Sequence, residues 1–130
     1  IYHQLNLFLG KNDKILHVAN NYGQLDFLLT MQQANRNIET YIADSEKRAV
    51  ALTNYIVKNR KIVYLESLAK ASDNRTTLLI SCETIHEIPT SIYKIIVLKK
   101  DFELRSFINF EIIEETNELI IFQKIVNEKI

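Results

Sequence analysis

Short apolar runs recur along the chain, and segments of helical length separate the first three of them. Runs of this kind, rich in β-branched residues and bounded by polar or turn-forming residues, are typical of buried strands. The pattern predicts five strands, at Ile15–Ala19, Ile38–Ile42, Ile62–Leu65, Thr77–Ser81 and Tyr93–Leu98.

Three segments carry apolar residues at the spacing of a helix instead. They are Ile1–Leu9, Gln24–Gln33 and a segment that begins at Asp44 or Ser45 and ends near Lys58. Gly10 is placed to end the first of these helices. The side chains predicted to face the core are Leu25, Leu28 and Leu29 in the second helix and Ala49, Leu52, Thr53 and Ile56 in the third.

The end of the chain predicts a hairpin, because Phe110–Ile113 and Leu119–Phe122 are short apolar segments joined by Glu114–Glu118. In the first half, the alternation of strands and helices implies right-handed parallel crossovers. Residues 1–130 are therefore predicted to form one α/β domain. Its core is a Rossmann-like, doubly wound and mostly parallel sheet with a C-terminal antiparallel hairpin.

Composition narrows the choice of partners and compartment. The chain has 16 basic and 16 acidic residues, so it lacks an overall basic excess, and nucleic acid is not expected as a partner. Its single cysteine, Cys82, cannot form an internal disulfide, which favours a reducing, cytoplasmic location. No apolar run approaches the roughly 18 residues that span a bilayer, so no transmembrane segment is predicted.

The turn after the first predicted strand is where we expect a ligand. Doubly wound sheets bind ligands outside the carboxyl ends of their strands, at the point where the strand order reverses. Asn20, Asn21 and Gly23 form a turn signature here, since asparagine and glycine tolerate the left-handed conformation. The asparagine side chains have two alternative roles, either contacting a ligand carboxylate or bonding the backbone of their own turn.

In the order of its elements the chain resembles class I S-adenosylmethionine-dependent methyltransferases. These elements are a strand, a glycine-containing turn, a helix, a second strand with an acidic residue just beyond it, and a terminal hairpin. In that family an acidic residue precedes a loop of pattern G-x-G-x-G. The corresponding residues here are His17-Val18-Ala19-Asn20-Asn21-Tyr22-Gly23. The resemblance implies S-adenosylmethionine as cofactor, and it implies cofactor-binding roles for Ala19, Asn20, Asn21, Gly23 and Asp44.

The motif departs from the family pattern at three positions, and Gly23 is the match that remains. His17 stands in place of the acid and offers no permanent negative charge to the amino group of the cofactor. Ala19 and Asn21 stand in place of glycines, and Ala19 adds a methyl group near the expected ligand. These changes predict that binding of S-adenosylmethionine is weakened.

The acid that would accept hydrogen bonds from the cofactor ribose has two alternative positions. Asp44 is the candidate by residue type, but aligning Ser45-Glu46-Lys47 with the usual helix start places Ile42 at the tip of the second strand. Asp44 would then be a plain helix cap, because aspartate is among the preferred residues at that position.

The segment after the fourth predicted strand supplies the candidate catalytic residues. Glu83, His86 and Glu87 concentrate there, and a histidine beside a carboxylate can act as an acid–base pair. The alternative is a solvated loop. Too few ligands have convincing spacing for a metal site, so none is predicted. The connection Lys99–Asn109 is also too short for the full helix that is usual in the family.

A narrower resemblance concerns Tyr22–Phe27 and Asp44–Ala49. These segments look like the methyltransferase-like domains fused C-terminally to some bacterial 1-acyl-sn-glycerol-3-phosphate acyltransferases. The first residue is Ile1, and we expect the chain to be part of a longer protein of this kind, with membrane association through that parent as an alternative.

The two resemblances and the departures from the family motif imply that the chain is an accessory methyltransferase-like domain with little or no catalysis of its own. The alternative is an active methyltransferase acting on a small acceptor.

Overall fold

The computed structural model describes residues 2–10, 13–32, 37–55, 62–83, 85, 87–102 and 107–126. Within them lie three α-helices, α1 (Tyr2–Phe8), α2 (Gln24–Gln32) and α3 (Ser45–Tyr55), and a single 3-10 turn at Leu68–Lys70. Seven strands occur in the same residues: β1 (Lys14–Ala19), β2 (Asn37–Ile42), β3 (Ile62–Leu65), β4 (Thr77–Ser81), β5 (Lys94–Leu98), β6 (Phe110–Glu115) and β7 (Leu119–Lys124). No helix in this part of the chain is long and apolar enough to cross a membrane.

All seven described strands join one sheet in the order β3-β2-β1-β4-β5-β7-β6. The strands β1 to β5 run parallel, whereas β7 lies antiparallel between β5 and β6. This is the doubly wound order with one antiparallel strand inserted near its edge. The predicted fold class and the C-terminal hairpin are therefore confirmed.

The helices α1 and α2 cover one face of the sheet. Leu5 and Leu29 are fully buried there against Ile15 of β1, Leu79 of β4 and Ile96 of β5, whose side chains point to this face. Neighbouring positions on the same strands point to the opposite face and are also buried, so β4 is buried along its whole length. Burial on both faces explains why these runs are apolar throughout.

Loops cover the opposite face, and no α-helix does so within the described residues. Phe107 packs edge-to-face on Phe122, with ring centroids 5.0 Å apart, and it stacks on Phe102 at 5.8 Å. Ile85 and Ile92 fill the same core cluster. The prediction that the connection Lys99–Asn109 lacks a full helix falls partly on residues 103–106, which lie outside the described residues.

The predicted inner face of α3 was only partly right. Leu52 is half-buried, but Ala49 and Thr53 are exposed, and Ile56 lies outside the described residues. Ala51 is fully buried instead, and it packs with Ala19 and Ile42. On the preceding turn, the guanidinium group of Arg48 donates a hydrogen bond to the backbone oxygen of Ile42 at 3.1 Å.

The inner face of α2 was only partly as predicted. Leu29 is fully buried and Leu25 is half-buried, but Leu28 is 42% exposed. Asp26 occupies a fully buried position on this helix instead. Its Oδ1 atom bonds His17 and Thr40 on the sheet, which offsets part of the cost of burial, whereas its Oδ2 atom has no hydrogen-bond partner in the described part of the chain.

A buried ion pair ties the loop before β4 to the sheet. Arg75 Nη2 lies 2.9 Å from Glu39 Oε2, and both side chains are more than nine-tenths buried. Arg75 also donates to the backbone oxygen of Asn37 at 3.0 Å, and Ser72 donates its N–H and its hydroxyl to the Glu39 carboxylate. These contacts fix residues 72–75 over β2.

Glu39→Ala is expected to lower the free energy of unfolding by about 3–5 kcal/mol, because it leaves the buried guanidinium of Arg75 without its counter-charge. Urea unfolding followed by circular dichroism measures this change. The matched control is Glu66→Ala, which removes the exposed ion pair with Lys70 and should cost less than about 1 kcal/mol. Similar losses in the two variants would contradict a structural role for the buried pair.

Candidate functional site

The carboxyl ends of β1, β2 and β4 meet at one edge of the sheet. Ala19 pairs with Ile42 on one side and with Ser81 on the other. The strand order reverses between β1 and β4, which is where doubly wound sheets bind ligands. A cleft of about 540 Å³, termed the main cleft, opens here. Its walls include Ala19, Asn20, Asp44, Cys82, Glu83 and Glu87. Its volume lies within the range of small-molecule sites.

The turn between β1 and α2 has the conformation that its residues favour. The carbonyl oxygen of the Asn21 side chain accepts a hydrogen bond from the N–H of Gly23 at 2.9 Å, which forms an Asx turn. Gly23 has a φ of 92°, in the left-handed region. Asn20 Oδ1 accepts from Lys47 Nζ at 2.9 Å. Asn21 thus bonds the backbone of its own turn, which is one of the two roles considered for these asparagines, whereas Asn20 bonds the side chain of Lys47 instead.

The side chain of His17 does not face the main cleft. It is fully buried between the sheet and α2, where Nδ1 lies 2.7 Å from Asp26 Oδ1 and Nε2 lies 2.5 Å from Ser81 Oγ. Thr40 Oγ1 donates to the same Asp26 oxygen at 2.7 Å, and Asn21 Nδ2 lies 3.5 Å from Ser81 Oγ. These five residues are termed the His17 network.

The chemistry of the network assigns its protons. An ionised carboxylate only accepts hydrogen bonds, so Nδ1 of His17 carries the proton that is donated to Asp26. In the neutral imidazole Nε2 is then the acceptor, and the hydroxyl of Ser81 donates to it. Both ring nitrogens of the imidazole are hydrogen-bonded inside the protein. It is therefore not presented to a ligand in the main cleft, where the family has an acid at this position.

The methyl group of Ala19 does not obstruct the main cleft. Ala19 is 3% exposed and packs in a small cluster with Ile42 and Ala51, on the face covered by helices. Strand side chains alternate between faces, so Ala19 points to the same face as His17. The expected clash of this methyl group with a ligand is thereby removed.

The structure separates the two alternative positions for the ribose acid. Ile42 ends β2 and is fully buried in the cluster with Ala19, whereas Asp44 lines the main cleft. Asp44 is also a helix cap, because its Oδ1 accepts hydrogen bonds from the N–H groups of Glu46 and Lys47 at 2.9 and 3.1 Å. Asp44 is therefore a helix cap that also lines the main cleft, and its contact with a ribose stays a prediction.

Two of the candidate catalytic residues reach the main cleft. Glu83 and Glu87 line it, and both are exposed. His86 lies outside the described residues, so the acid–base pair stays a prediction. Cys82 is a largely buried wall residue. Among the described residues, no group of three or more histidine, cysteine, aspartate or glutamate side chains is placed to hold a metal ion.

A second cleft, of about 370 Å³, lies on the helix side of the same turn and is termed the minor cleft. Ser81 lines it together with Leu25 and Leu28 of α2 and Leu98 of β5. Sequence analysis did not single out Ser81 or Asp26 as functional residues. No local pattern could have done so, since nine residues separate His17 from Asp26 and 64 separate His17 from Ser81.

Gly23→Ala is expected to lower the free energy of unfolding by about 1–2 kcal/mol, because a Cβ atom is strained at this left-handed backbone position. Thermal and urea unfolding measure the loss. Gly10→Ala is the matched control, because Gly10 lacks a positive φ and its added Cβ would lie 3.4 Å from the nearest atom, Asp13 Oδ1. The control should be neutral or stabilising by up to about 1 kcal/mol. A Gly23 variant as stable as the control would contradict the strained turn.

No protein-family model and no curated protein sequence matches the chain significantly, but solved structures share its fold. A protein of the NADB-Rossmann superfamily from Streptococcus agalactiae is 12% identical, with a TM-score of 0.71 over 98% of this chain and 69% of that one. M. capricolum TrmK, in complex with S-adenosyl-homocysteine, is 14% identical, with a TM-score of 0.66 over 95% of this chain and 67% of that one.

An RNA methyltransferase from Salinibacter ruber, also in complex with S-adenosyl-L-homocysteine, is 10% identical, with a TM-score of 0.63 over 98% of this chain and 90% of that one. At such low identities the similarity establishes the fold alone. The chain has the Rossmann-like fold that is found in S-adenosylmethionine-dependent methyltransferases.

Proposed function

We propose that this chain is a methyltransferase-like accessory domain that binds the adenosyl part of S-adenosylmethionine in the main cleft and has little or no methyl transfer activity. The parent protein that the sequence resemblance favours is a lysophospholipid acyltransferase. The observation that carries the proposal is the position of His17, whose side chain is locked inside the protein beside an open cleft.

The adenosyl part has a suitable place in the main cleft. Asp44 lies two residues beyond the end of β2 in the main cleft, where its carboxylate can accept hydrogen bonds from two ribose hydroxyls, although one oxygen also caps α3. Tyr41 and Leu68 supply apolar surface for an adenine ring in the same cleft. Two of the solved structures with this fold contain S-adenosyl-homocysteine, which is consistent with an adenosyl ligand here.

The methionine part of the cofactor lacks an acidic partner at position 17. The family has an acid where this chain has His17, and the imidazole of His17 already donates to Asp26 and accepts from Ser81. Turning it towards the cleft would leave the buried carboxylate of Asp26 with Thr40 as its remaining hydrogen-bond donor, which is costly. The amino group of a bound S-adenosylmethionine therefore gains little from position 17.

Weak fixation of the methionine part explains the low catalysis that we propose. Methyl transfer depends on holding the sulfonium methyl group in line with the attacking atom, and a misplacement of about 1 Å can cost about 100-fold in rate. Glu83 and Glu87 line the cleft as exposed carboxylates, but they lie in the loop after β4 and not at position 17, where the family has its acid.

S-adenosylhomocysteine and adenosine are expected to bind with dissociation constants within about threefold of each other, because the amino acid part contributes less than about 0.7 kcal/mol. Isothermal titration calorimetry of the purified chain measures both. Asp44→Ser should weaken both ligands equally, since serine keeps the helix cap but removes the carboxylate. Glu66→Ser, far along the chain and outside the main cleft, is the control and should bind as the unmodified chain does.

Two outcomes would contradict the proposal. A preference of 100-fold or more for S-adenosylhomocysteine over adenosine would show that the methionine part is firmly held, and it would favour the alternative of an active methyltransferase. Absence of binding by either ligand at millimolar concentration would remove the adenosyl site altogether.

A further inference from the structure

The minor cleft contains a reactive arrangement that the proposed function does not use. Ser81 ends β4, is 5% exposed and is one of the residues that line this cleft. Behind Ser81 lie His17 and then Asp26, both fully buried. The main cleft opens on the other side of the turn, so a ligand there would not touch the Ser81 hydroxyl.

The distances meet the requirements for an activated serine. Ser81 Oγ lies 2.5 Å from Nε2 of His17, and Nδ1 of His17 lies 2.7 Å from Asp26 Oδ1. A nucleophile in hydrogen-bond contact with a base, which a third group orients in turn, is the diagnostic geometry for covalent catalysis. Triads of this kind occur on unrelated folds and are identified by geometry, not by sequence order.

We propose that Ser81, His17 and Asp26 form a catalytic triad in the minor cleft and that it hydrolyses esters of short carboxylic acids. Ser81 is the nucleophile and His17 is the general base. Asp26 is a positioning residue, because it contacts His17 and not the substrate. Its carboxylate, held in turn by Thr40 at 2.7 Å, keeps the proton of His17 on Nδ1 and thereby leaves Nε2 able to accept from Ser81.

A donor for the developing oxyanion lies beside the nucleophile. The side-chain amide nitrogen of Asn21 is 3.5 Å from Ser81 Oγ, and the Asx turn with Gly23 fixes that side chain. A carbonyl carbon bonded to Ser81 Oγ would bring its oxygen into the region that this N–H group faces. Preorganised donors at such a position stabilise the tetrahedral intermediate.

The reaction balances with water as the second substrate. Ser81 Oγ forms a bond to the ester carbonyl carbon while its proton moves to Nε2 of His17. The carbon–alkoxide bond then breaks, and that proton leaves with the alcohol. Water next attacks the acyl-serine and gives one proton to His17. The bond to Oγ breaks, Ser81 regains the proton, and the carboxylic acid departs.

The walls of the minor cleft define the substrate class. Leu25, Leu28 and Leu98 provide an apolar lining next to Ser81, whereas Lys100 and Asp101 provide charged groups of both signs. A volume of about 370 Å³ accommodates a short acyl chain with a small alcohol, near the lower end of the range for ligand sites. Acetyl and butyryl esters are the probes that follow from this size.

The experiment treats the purified chain with a fluorophosphonate probe and, in parallel, with p-nitrophenyl acetate and p-nitrophenyl butyrate. The proposal expects covalent labelling at Ser81, located by peptide mass spectrometry, and ester hydrolysis that is lost in Ser81→Ala. Ser67→Ala is the matched control, because Ser67 lies outside the minor cleft and makes no side-chain cap hydrogen bond. It should label and turn over as the unmodified chain does.

Asp26→Asn tests the positioning role by separating kcat from KM. It should lower kcat by about 100-fold or more with KM unchanged, because the substrate does not touch Asp26. If this variant fails to fold, the labelling of the unmodified chain at Ser81 still tests the triad. Absence of labelling at Ser81 in the folded chain, labelling that persists after heat denaturation, or hydrolysis that survives Ser81→Ala would each overturn the triad.

Discussion

The buried hydrogen bond between His17 and Asp26 is the constraint on which the site depends. It joins the middle of β1 to the first turn of α2, and Thr40 and Ser81 extend it to β2 and β4. Buried polar groups are costly when they lose a partner, so these groups hold one another in place. The connection fixes where α2 begins and thus fixes the turn that separates the two clefts.

The same hydrogen bond also determines which of the two clefts the imidazole of His17 serves. It turns the imidazole of His17 away from the main cleft, where the methyltransferase family has an acid, and it brings the same imidazole into contact with Ser81 beside the minor cleft. A histidine in the middle of β1, where the family has an acid, is therefore the basis of both proposals. Fold similarity alone would not have revealed this, because function belongs to sites and not to folds.

The sequence predicted the architecture because each strand is marked by a short apolar run in its own local sequence. Ile62–Leu65 and Thr77–Ser81 have the predicted bounds, and the other strands differ from prediction by one or two residues at their ends. The central strands β1, β4 and β5 are buried on both faces, so a run of apolar residues is required in each of them. The turn at Gly23 was equally predictable, since few residues tolerate its backbone conformation.

The sequence did not predict the features that depend on contacts between distant elements. The face that α3 buries includes Ala51 instead of the predicted Ala49 and Thr53, which the helical periodicity did not indicate. Asp26 looks like an ordinary charged residue in the first turn of a helix, and its burial becomes understandable only when His17 and Thr40 are placed beside it. The parallel register of β1 and β4 then brings Ser81 within reach of His17.

Nuclear magnetic resonance of the histidine side chains tests the central connection most directly. Long-range ¹H–¹⁵N correlation spectra of the folded chain, with the His17 signals assigned by their loss in His17→Gln, show which ring nitrogen carries the proton. The structure predicts a proton on Nδ1 that exchanges slowly with solvent, and an Nε2 that accepts a hydrogen bond. A proton on Nε2, or an imidazole in rapid exchange with water, would contradict the buried connection and both sites that depend on it.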